Sequence, residues 1–171
     1  MTPTRILIPV ADAYEDLEAW YPRLRLEAAG VHVVVASPDG KGCRGKHGYP
    51  MDVHAALGAV DPRELDGVVV PGGWAPDVLR RHGQLLEVVR DMDARGKLVA
   101  AICHGPWVLV SARILKGRRV TGSAGVRDDV ENAGALWRDD PVVVDGNLVT
   151  SRRPPDLPAF GEALVKFLHR G

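Results

Sequence analysis

The chain has 171 residues, of which 46% are hydrophobic and 26% charged, enough for one ordinary domain with a sizeable core. Its 22 basic and 22 acidic residues give a formal net charge of zero, which excludes the basic footprint of a nucleic-acid-binding or membrane-surface protein. Its two cysteines cannot form a disulfide framework, and no apolar stretch resembles a signal-peptide core or reaches the roughly 20 residues of a membrane span. We therefore predict a cytoplasmic protein with a single domain over residues 1–171.

Short apolar runs alternate with segments of helical periodicity along the chain. Four runs are typical of buried parallel strands: residues 6–10, 31–36, 67–70 and 98–102. Helical patterns cover residues 15–29, 79–95 and about 157–168, and Pro22 predicts a kink or a late start in the first of them. Residues 142–144 and 148–150 read as a hairpin around Asp145 and Gly146. This order predicts an α/β fold, a three-layer sandwich with a mostly parallel sheet and helices on both faces.

Cys103 stands directly after the apolar run 98–102 and before Gly105 and Pro106, which suit a sharp turn and the first turn of a helix. A cysteine at such an elbow faces a helix N-terminus, whose partial positive charge favours the thiolate, as expected of an acyl-transfer nucleophile. The alternative is a buried structural cysteine that packs as a small hydrophobe. The adjoining His104 favours the nucleophile.

Ligands of parallel α/β sheets bind beyond the carboxyl ends of the strands, where loops 11–15, 71–77 and 103–106 can converge. Glu15, at the end of the first loop, could reach the Cys103 sulfur and hold a proton to donate. The alternative is that Glu15 is an ordinary acid in a first helical turn, which is how we interpret Glu18.

Gly72 and Gly73 follow the third predicted strand, and their amides could form an oxyanion hole together with the amide of His104. The alternative is an ordinary turn. Trp74, next along the chain, is a candidate for substrate contact. Asp77 stands at a normal position for an acid at a helix start and by itself carries no functional argument.

Several segments resemble the ThiJ/PfpI family, in particular its PfpI-type branch of intracellular proteases and glyoxalase-like or deglycase-like stress proteins. The segments are Tyr14-Glu15-Asp16-Leu17-Glu18, Lys46-His47-Gly48-Tyr49, Val70-Pro71-Gly72-Gly73 and Cys103-His104-Gly105-Pro106. The resemblance continues to Asp156-Leu157-Pro158 and covers nearly the whole chain. It implies a flavodoxin-like sandwich of the class I glutamine amidotransferase-like superfamily.

The resemblance also implies roles for individual residues. Cys103 matches the nucleophile, Glu15 the carboxylate hydrogen-bonded to it, and His104 the neighbouring histidine. Asp77 matches the acid that completes a Cys-His-acid triad across a subunit interface, as Asp where a close relative has Glu. The family therefore implies a homo-oligomer, a dimer or a hexamer.

The family further implies an enzyme without cofactor or metal that acts on small aldehydes, glycated adducts or peptides. The alternative is a non-enzymatic redox sensor or stress chaperone, because the same accessible thiolate is readily oxidised. Glutaminase chemistry is not expected, because no histidine is followed by Glu at the first or second position after it, as the amidotransferases of this superfamily require.

Overall fold

The computed structural model describes residues 3–169, which contain eleven strands and six α-helices. The first half comprises β1 (Arg5–Pro9), α1 (Asp16–Glu27), β2 (His32–Ser37), β3 (Cys43–Arg44), β4 (Pro50–Met51), β5 (Ala55–Ala56), β6 (Gly67–Val70), α2 (Ala75–Leu79) and α3 (Gly83–Ala94). The second half comprises β7 (Leu98–Ile102), α4 (Pro106–Ala112), β8 (Arg119–Val120), α5 (Arg127–Asn132), β9 (Leu136–Trp137), β10 (Val142–Asp145), β11 (Leu148–Ser151) and α6 (Leu157–Leu168).

Seven strands form the central sheet in the order β10-β11-β7-β6-β1-β2-β5. Every neighbouring pair is parallel except the hairpin of β10 and β11. The inner strands β6 and β7 are buried along their whole length, as expected for strands covered by helices on both faces. Because β1, β6 and β7 are parallel neighbours, the loops that follow them emerge at one edge of the sheet.

The helices pack in two groups. Helix α1 packs against α6, which also contacts β7 and β11, whereas α3 packs against α4 and contacts β6 and β7. These two helix layers and the sheet between them confirm the predicted three-layer α/β sandwich. No helix within residues 3–169 is both long enough and apolar enough to cross a membrane.

The predicted elements agree closely with the structure, with one error. Strands β6 and β7 and helix α6 have the predicted bounds, and the hairpin of β10 and β11 is confirmed. The single helix predicted over residues 79–95 is wrong, because His82 adopts an extended backbone that separates α2 from α3. Pro22 lies inside α1 and does not delay its start at Asp16.

Candidate active site

Cys103 lies at a strained turn between β7 and α4. Its backbone has φ of 61°, in the left-handed region that side-chain-bearing residues rarely adopt. The turn is fixed by two backbone hydrogen bonds: the Cys103 amide donates to the Ser151 carbonyl at 3.1 Å, and the Ser123 amide donates to the Cys103 carbonyl at 2.8 Å. The thiol is half-buried at the carboxyl edge of the sheet. This is the elbow geometry that the sequence predicted.

The carboxyl group beside Cys103 belongs to Glu18, not to Glu15, so the assignment of Glu15 to this position was wrong. Glu18 is fully buried, and its Oε2 accepts a hydrogen bond of 2.9 Å from the Gly72 amide. A Cβ placed on Gly72 would lie 2.7 Å from the Cys103 Cβ and would also overlap Glu18 Oε2. The Glu18 carboxyl group and the Cys103 side chain therefore both contact the backbone of this glycine. Glu18 Oε1 has no hydrogen-bond partner among the described residues and is available to the thiol or to a substrate.

Glu15 instead begins helix α1. Its Oε2 accepts a hydrogen bond of 2.9 Å from the Glu18 amide, so the side chain is the N-cap of the helix. Its other oxygen, Oε1, is 3.9 Å from His47 Nε2. Glu15 therefore acts on the site through its charge and through the helix that carries Glu18.

The glycine loop differs in detail from the predicted oxyanion hole. The amides of Gly73 and His104 approach the Cys103 sulfur closely enough to lower its pKa. The Gly72 amide is already committed to Glu18 and cannot serve as a third donor. Gly73 has φ of +79°, and a Cβ there would meet the Ala13 carbonyl, so the turn requires glycine.

Burial governs the protonation of the Cys103–Glu18 pair. Burial, and secondarily the charge of Glu15, raise the pKa of Glu18 to about 8. Burial and the neighbouring Glu18 charge raise the pKa of Cys103 to about 12, against the favourable effect expected from the helix N-terminus. Burial therefore favours the protonated form of both groups, and at neutral pH Glu18 carries a proton that it can donate.

We expect the rate of Cys103 alkylation by iodoacetamide to rise as the pH increases through about 8, where the pair first acquires a negative charge that the sulfur can share. Cys43 is the internal control, because its thiol is buried and donates to the Lys41 carbonyl at 3.6 Å instead of sharing a proton with a carboxyl group, and it should stay unlabelled at pH 8 to 9. Peptide mapping after timed labelling measures both sites. Equal labelling of the two cysteines across this range would contradict the coupled pair.

His104 contacts the thiol directly, with its Nδ1 3.2 Å from Cys103 Sγ. Burial and, to a smaller degree, the charge of Lys46 lower the pKa of His104, so the ring is neutral at pH 7 and can accept a proton. Asp77 does not join this pair within the chain: it is exposed and forms an ion pair with Arg81 one turn along. Trp74 does lie at the site, with its ring centroid 5.6 Å from that of His104.

Two residues of the site were missed by the sequence reasoning. Glu18 shares one face of α1 with Pro22 and Leu26, four and eight residues later, and all three are buried. That spacing is a signal that could have placed Glu18 on the inward face. Trp107, whose ring packs edge-on against His104 at 5.0 Å, lies in α4, and nothing in the sequence around it distinguishes it from a core residue.

One group of side chains has the composition of a metal site. Glu15, Asp16 and His47 each offer a ligand atom, and these atoms lie within 4.8 Å of one another. Both Asp16 oxygens already accept backbone hydrogen bonds of 3.0 Å, from the amides of His47 and Tyr49. These contacts give Asp16 a structural role in shaping the loop that carries His47.

The comparisons with known proteins agree with this geometry. The DJ-1/PfpI family profile matches residues 4–167. A deglycase of Thermococcus kodakarensis is 48% identical over 164 residues, covering 96% of this chain and 99% of its own. The protein/nucleic acid deglycase 2 of Escherichia coli is 39% identical over 167 residues, covering 96% and 97%.

Solved structures give the same result. A ThiJ/PfpI domain protein of Brachyspira murdochii superimposes with a TM-score of 0.94 at 27% identity, covering 99% of both chains. The profile match and the two relatives extend over nearly the whole chain, including β7, the elbow and α4. The chain belongs to the DJ-1/PfpI family.

Proposed function

We propose that this protein is a deglycase-type cysteine enzyme that removes small reactive carbonyls, free or attached to amino groups, and converts them to hydroxy acids. The observation that carries the proposal is the fully buried Glu18 carboxyl group, whose pKa burial raises to about 8, beside a cysteine held at a strained elbow. Such a pair combines a nucleophile with a proton donor in one place. The relatives named deglycases support the same chemistry.

The first step is addition of sulfur to carbon. With free methylglyoxal, the Cys103 sulfur bonds to the aldehyde carbon, the carbonyl electron pair moves to oxygen, and Glu18 protonates that oxygen while His104 takes the thiol proton. With a glycated amine, the same sulfur bonds to the carbinol carbon, the carbon–nitrogen bond breaks, and the free amine leaves with a proton. Both routes give a hemithioacetal on Cys103.

The second step rearranges and releases the product. The hydrogen on the hemithioacetal carbon moves as a proton to the adjacent carbonyl carbon through an enediol, which leaves a thioester of lactate. The amides of Gly73 and His104 face the sulfur and are suited to stabilise oxygen charge on the attached carbon. In the free-aldehyde route His104 first returns the proton it took from the thiol to the Glu18 carboxylate. Neutral His104 then takes a proton from water, the hydroxide cleaves the thioester, and that proton restores the thiol, so that one water is consumed for each lactate formed.

The same site supports a second candidate function. A half-buried thiol beside a carboxyl group can also be oxidised by two equivalents of peroxide, which leave as two waters, to a sulfinate that Glu18 would hold by a hydrogen bond. This redox-sensing role needs no turnover. Peptidase activity belongs to the same nucleophile and would use the same elbow.

We further propose that a second copy of the chain supplies an acid to His104, which has no hydrogen bond or ion pair with an acid among residues 3–169 of its own subunit. Asp77 is exposed on α2 and therefore accessible to another subunit. Its ion pair with Arg81 lies on the surface, where such pairs contribute little free energy, so Asp77 can exchange Arg81 for another partner. In this arrangement the enzyme is a homo-oligomer whose contact completes the triad.

The proposed function is tested by measuring how much of each product the protein releases from each substrate. Wild-type protein is incubated with methylglyoxal and with methylglyoxal-treated N-acetyl-lysine, and lactate and free amine are quantified. We expect catalytic release of lactate in both cases, a loss of at least 10³-fold in Cys103→Ser, and unchanged turnover in Cys43→Ser, the matched control. Less than one lactate per protein together with a sulfinate on Cys103 after peroxide would favour the redox sensor instead.

A further inference from the structure

The backbone of Cys103 is held by two segments that come from different parts of the chain. Its amide donates to the carbonyl of Ser151, the last residue of β11, and its carbonyl accepts from the amide of Ser123 in the loop after β8. A residue that bears a side chain keeps a φ of 61° only when its surroundings impose that conformation. The position of the nucleophile therefore depends on how firmly these two segments are joined to each other.

One buried hydrogen bond joins the two segments close to the elbow. The amide of Thr121 donates to the side-chain hydroxyl oxygen of Thr150 at 3.0 Å, and both residues are completely buried. Thr150 lies directly before Ser151 in β11, and Thr121 lies in the same loop as Ser123. We call the three hydrogen bonds, from Thr121 to Thr150, from Cys103 to Ser151 and from Ser123 to Cys103, the elbow clamp.

The Thr150 hydroxyl group takes the place of a strand partner. Strand β8 pairs with β9 in a separate two-stranded sheet, so among residues 3–169 no backbone ladder connects it to the central sheet. The Thr121 amide follows β8 directly, and within the described residues the Thr150 oxygen is its only acceptor. The hydrogen bond from the Arg119 amide to Asp145 also joins β8 to the hairpin, but it lies at the end of the hairpin that is far from the elbow.

We propose that Thr150 is a positioning residue, whose hydroxyl oxygen fixes the elbow clamp and so keeps the Cys103 sulfur within proton-transfer distance of its partners. The proposal rests on the function proposed above and concerns the geometry of that same site. The partners are Glu18 and His104, whose Nδ1 is 3.2 Å from the sulfur. Because proton transfer requires hydrogen-bond distances, a small displacement of the elbow slows the chemical step more than it weakens substrate binding.

The test removes the hydroxyl oxygen while it preserves the shape of the side chain. In Thr150→Val a methyl group replaces the hydroxyl group, and the buried Thr121 amide loses its acceptor. We expect kcat for methylglyoxal to fall about 10-fold to 100-fold, with KM within about twofold of wild type. Thr150→Ser keeps the oxygen and should retain kcat within about threefold.

Thr121→Val is the matched control, because it makes the same chemical change on the other member of the hydrogen-bonded pair. The Thr121 amide is unaffected by this change, and Thr121 Oγ1 is buried without a hydrogen-bond partner among the described residues. Its removal should therefore leave kcat and KM unchanged, and the melting temperature should be equal or higher.

Alkylation of Cys103 by iodoacetamide at pH 8 reports the position of the sulfur without any turnover. A displaced sulfur loses its contacts with the amides of Gly73 and His104, which favour the thiolate. We expect labelling of Cys103 to be about fivefold slower in Thr150→Val than in wild type. In Thr121→Val the labelling rate should equal that of wild type.

The outcomes distinguish this proposal from the proposed function. If folded Thr150→Val keeps the wild-type kcat and labelling rate, or if Thr121→Val loses as much activity as Thr150→Val, the positioning role is overturned while the deglycase function stands. A Thr150→Val protein that does not fold, as judged by circular dichroism, also overturns it, since the bond would then serve the fold as a whole. If wild-type protein forms no lactate, the proposed function fails, and the labelling rates alone decide whether Thr150 positions the sulfur.

Discussion

Glu18→Gln is expected to lower methylglyoxal turnover by 10² to 10³-fold, whereas Glu15→Gln should retain activity within about threefold of wild type. Glu18 is the fully buried acid beside the sulfur, and a glutamine in its place fills the same volume but cannot give up and regain a proton. A glutamine at Glu15 keeps an oxygen that can accept the hydrogen bond from the Glu18 amide, so the start of α1 is preserved. The two conservative changes therefore separate the proton donor from the helix cap.

The pH dependence of Glu15→Gln provides an independent check. The Glu15 charge contributes to raising the pKa of Glu18, so its removal should lower that pKa below its wild-type value of about 8. The rise in Cys103 alkylation should then begin at lower pH in Glu15→Gln than in wild type. In Glu18→Gln the carboxyl step disappears and only the thiol titrates. If Glu15→Gln proved as inactive as Glu18→Gln while its fold was intact, Glu15 would have to be counted among the catalytic residues.

The sequence predicts the turn that carries Cys103, but not which of the two acids, Glu15 or Glu18, lies beside its sulfur. The strands and the elbow follow from local patterns: a fully apolar run such as Leu98–Ile102 must be buried, and the Gly and Pro after Cys103 define the turn. Which acid of α1 faces the sulfur depends on the rotation of the helix about its axis. That rotation is set by packing against the sheet and α6. Glu15 and Glu18 are three residues apart, so they differ both in the direction in which their side chains leave the helix and in their position along its axis.

Contacts between segments that are distant in the chain could not be predicted from the sequence either. The use of the Gly72 amide by Glu18, 54 positions earlier in the chain, removes one expected oxyanion donor. The Asp129 hydrogen bond that fixes Trp107 crosses from α4 to α5. No residue spacing or motif predicts either contact, because both depend on how the loops at the edge of the sheet pack against one another.

Gly72→Ala is expected to lower activity by at least 10²-fold although the residue has no chemical function. The added methyl group would overlap Glu18 Oε2, lie 2.7 Å from the Cys103 Cβ and lie 3.1 Å from the His104 amide nitrogen, so it must push apart the groups of the reaction. Small displacements of this kind are costly in catalysis because proton transfer requires hydrogen-bond distances. Overpacking a buried site also lowers the free energy of unfolding, typically by about 1–3 kcal/mol.

The measurement for Gly72→Ala combines lactate formation with thermal unfolding followed by circular dichroism. Gly83→Ala is the matched control: it makes the same chemical change at the first residue of α3, where an added Cβ meets no atom within 4 Å. Its activity should be unchanged and its melting temperature equal or slightly higher, since alanine favours helix over glycine. If Gly72→Ala melted several degrees lower yet kept full activity, the contact of Glu18 with Cys103 over this glycine would not be the arrangement in which the reaction takes place.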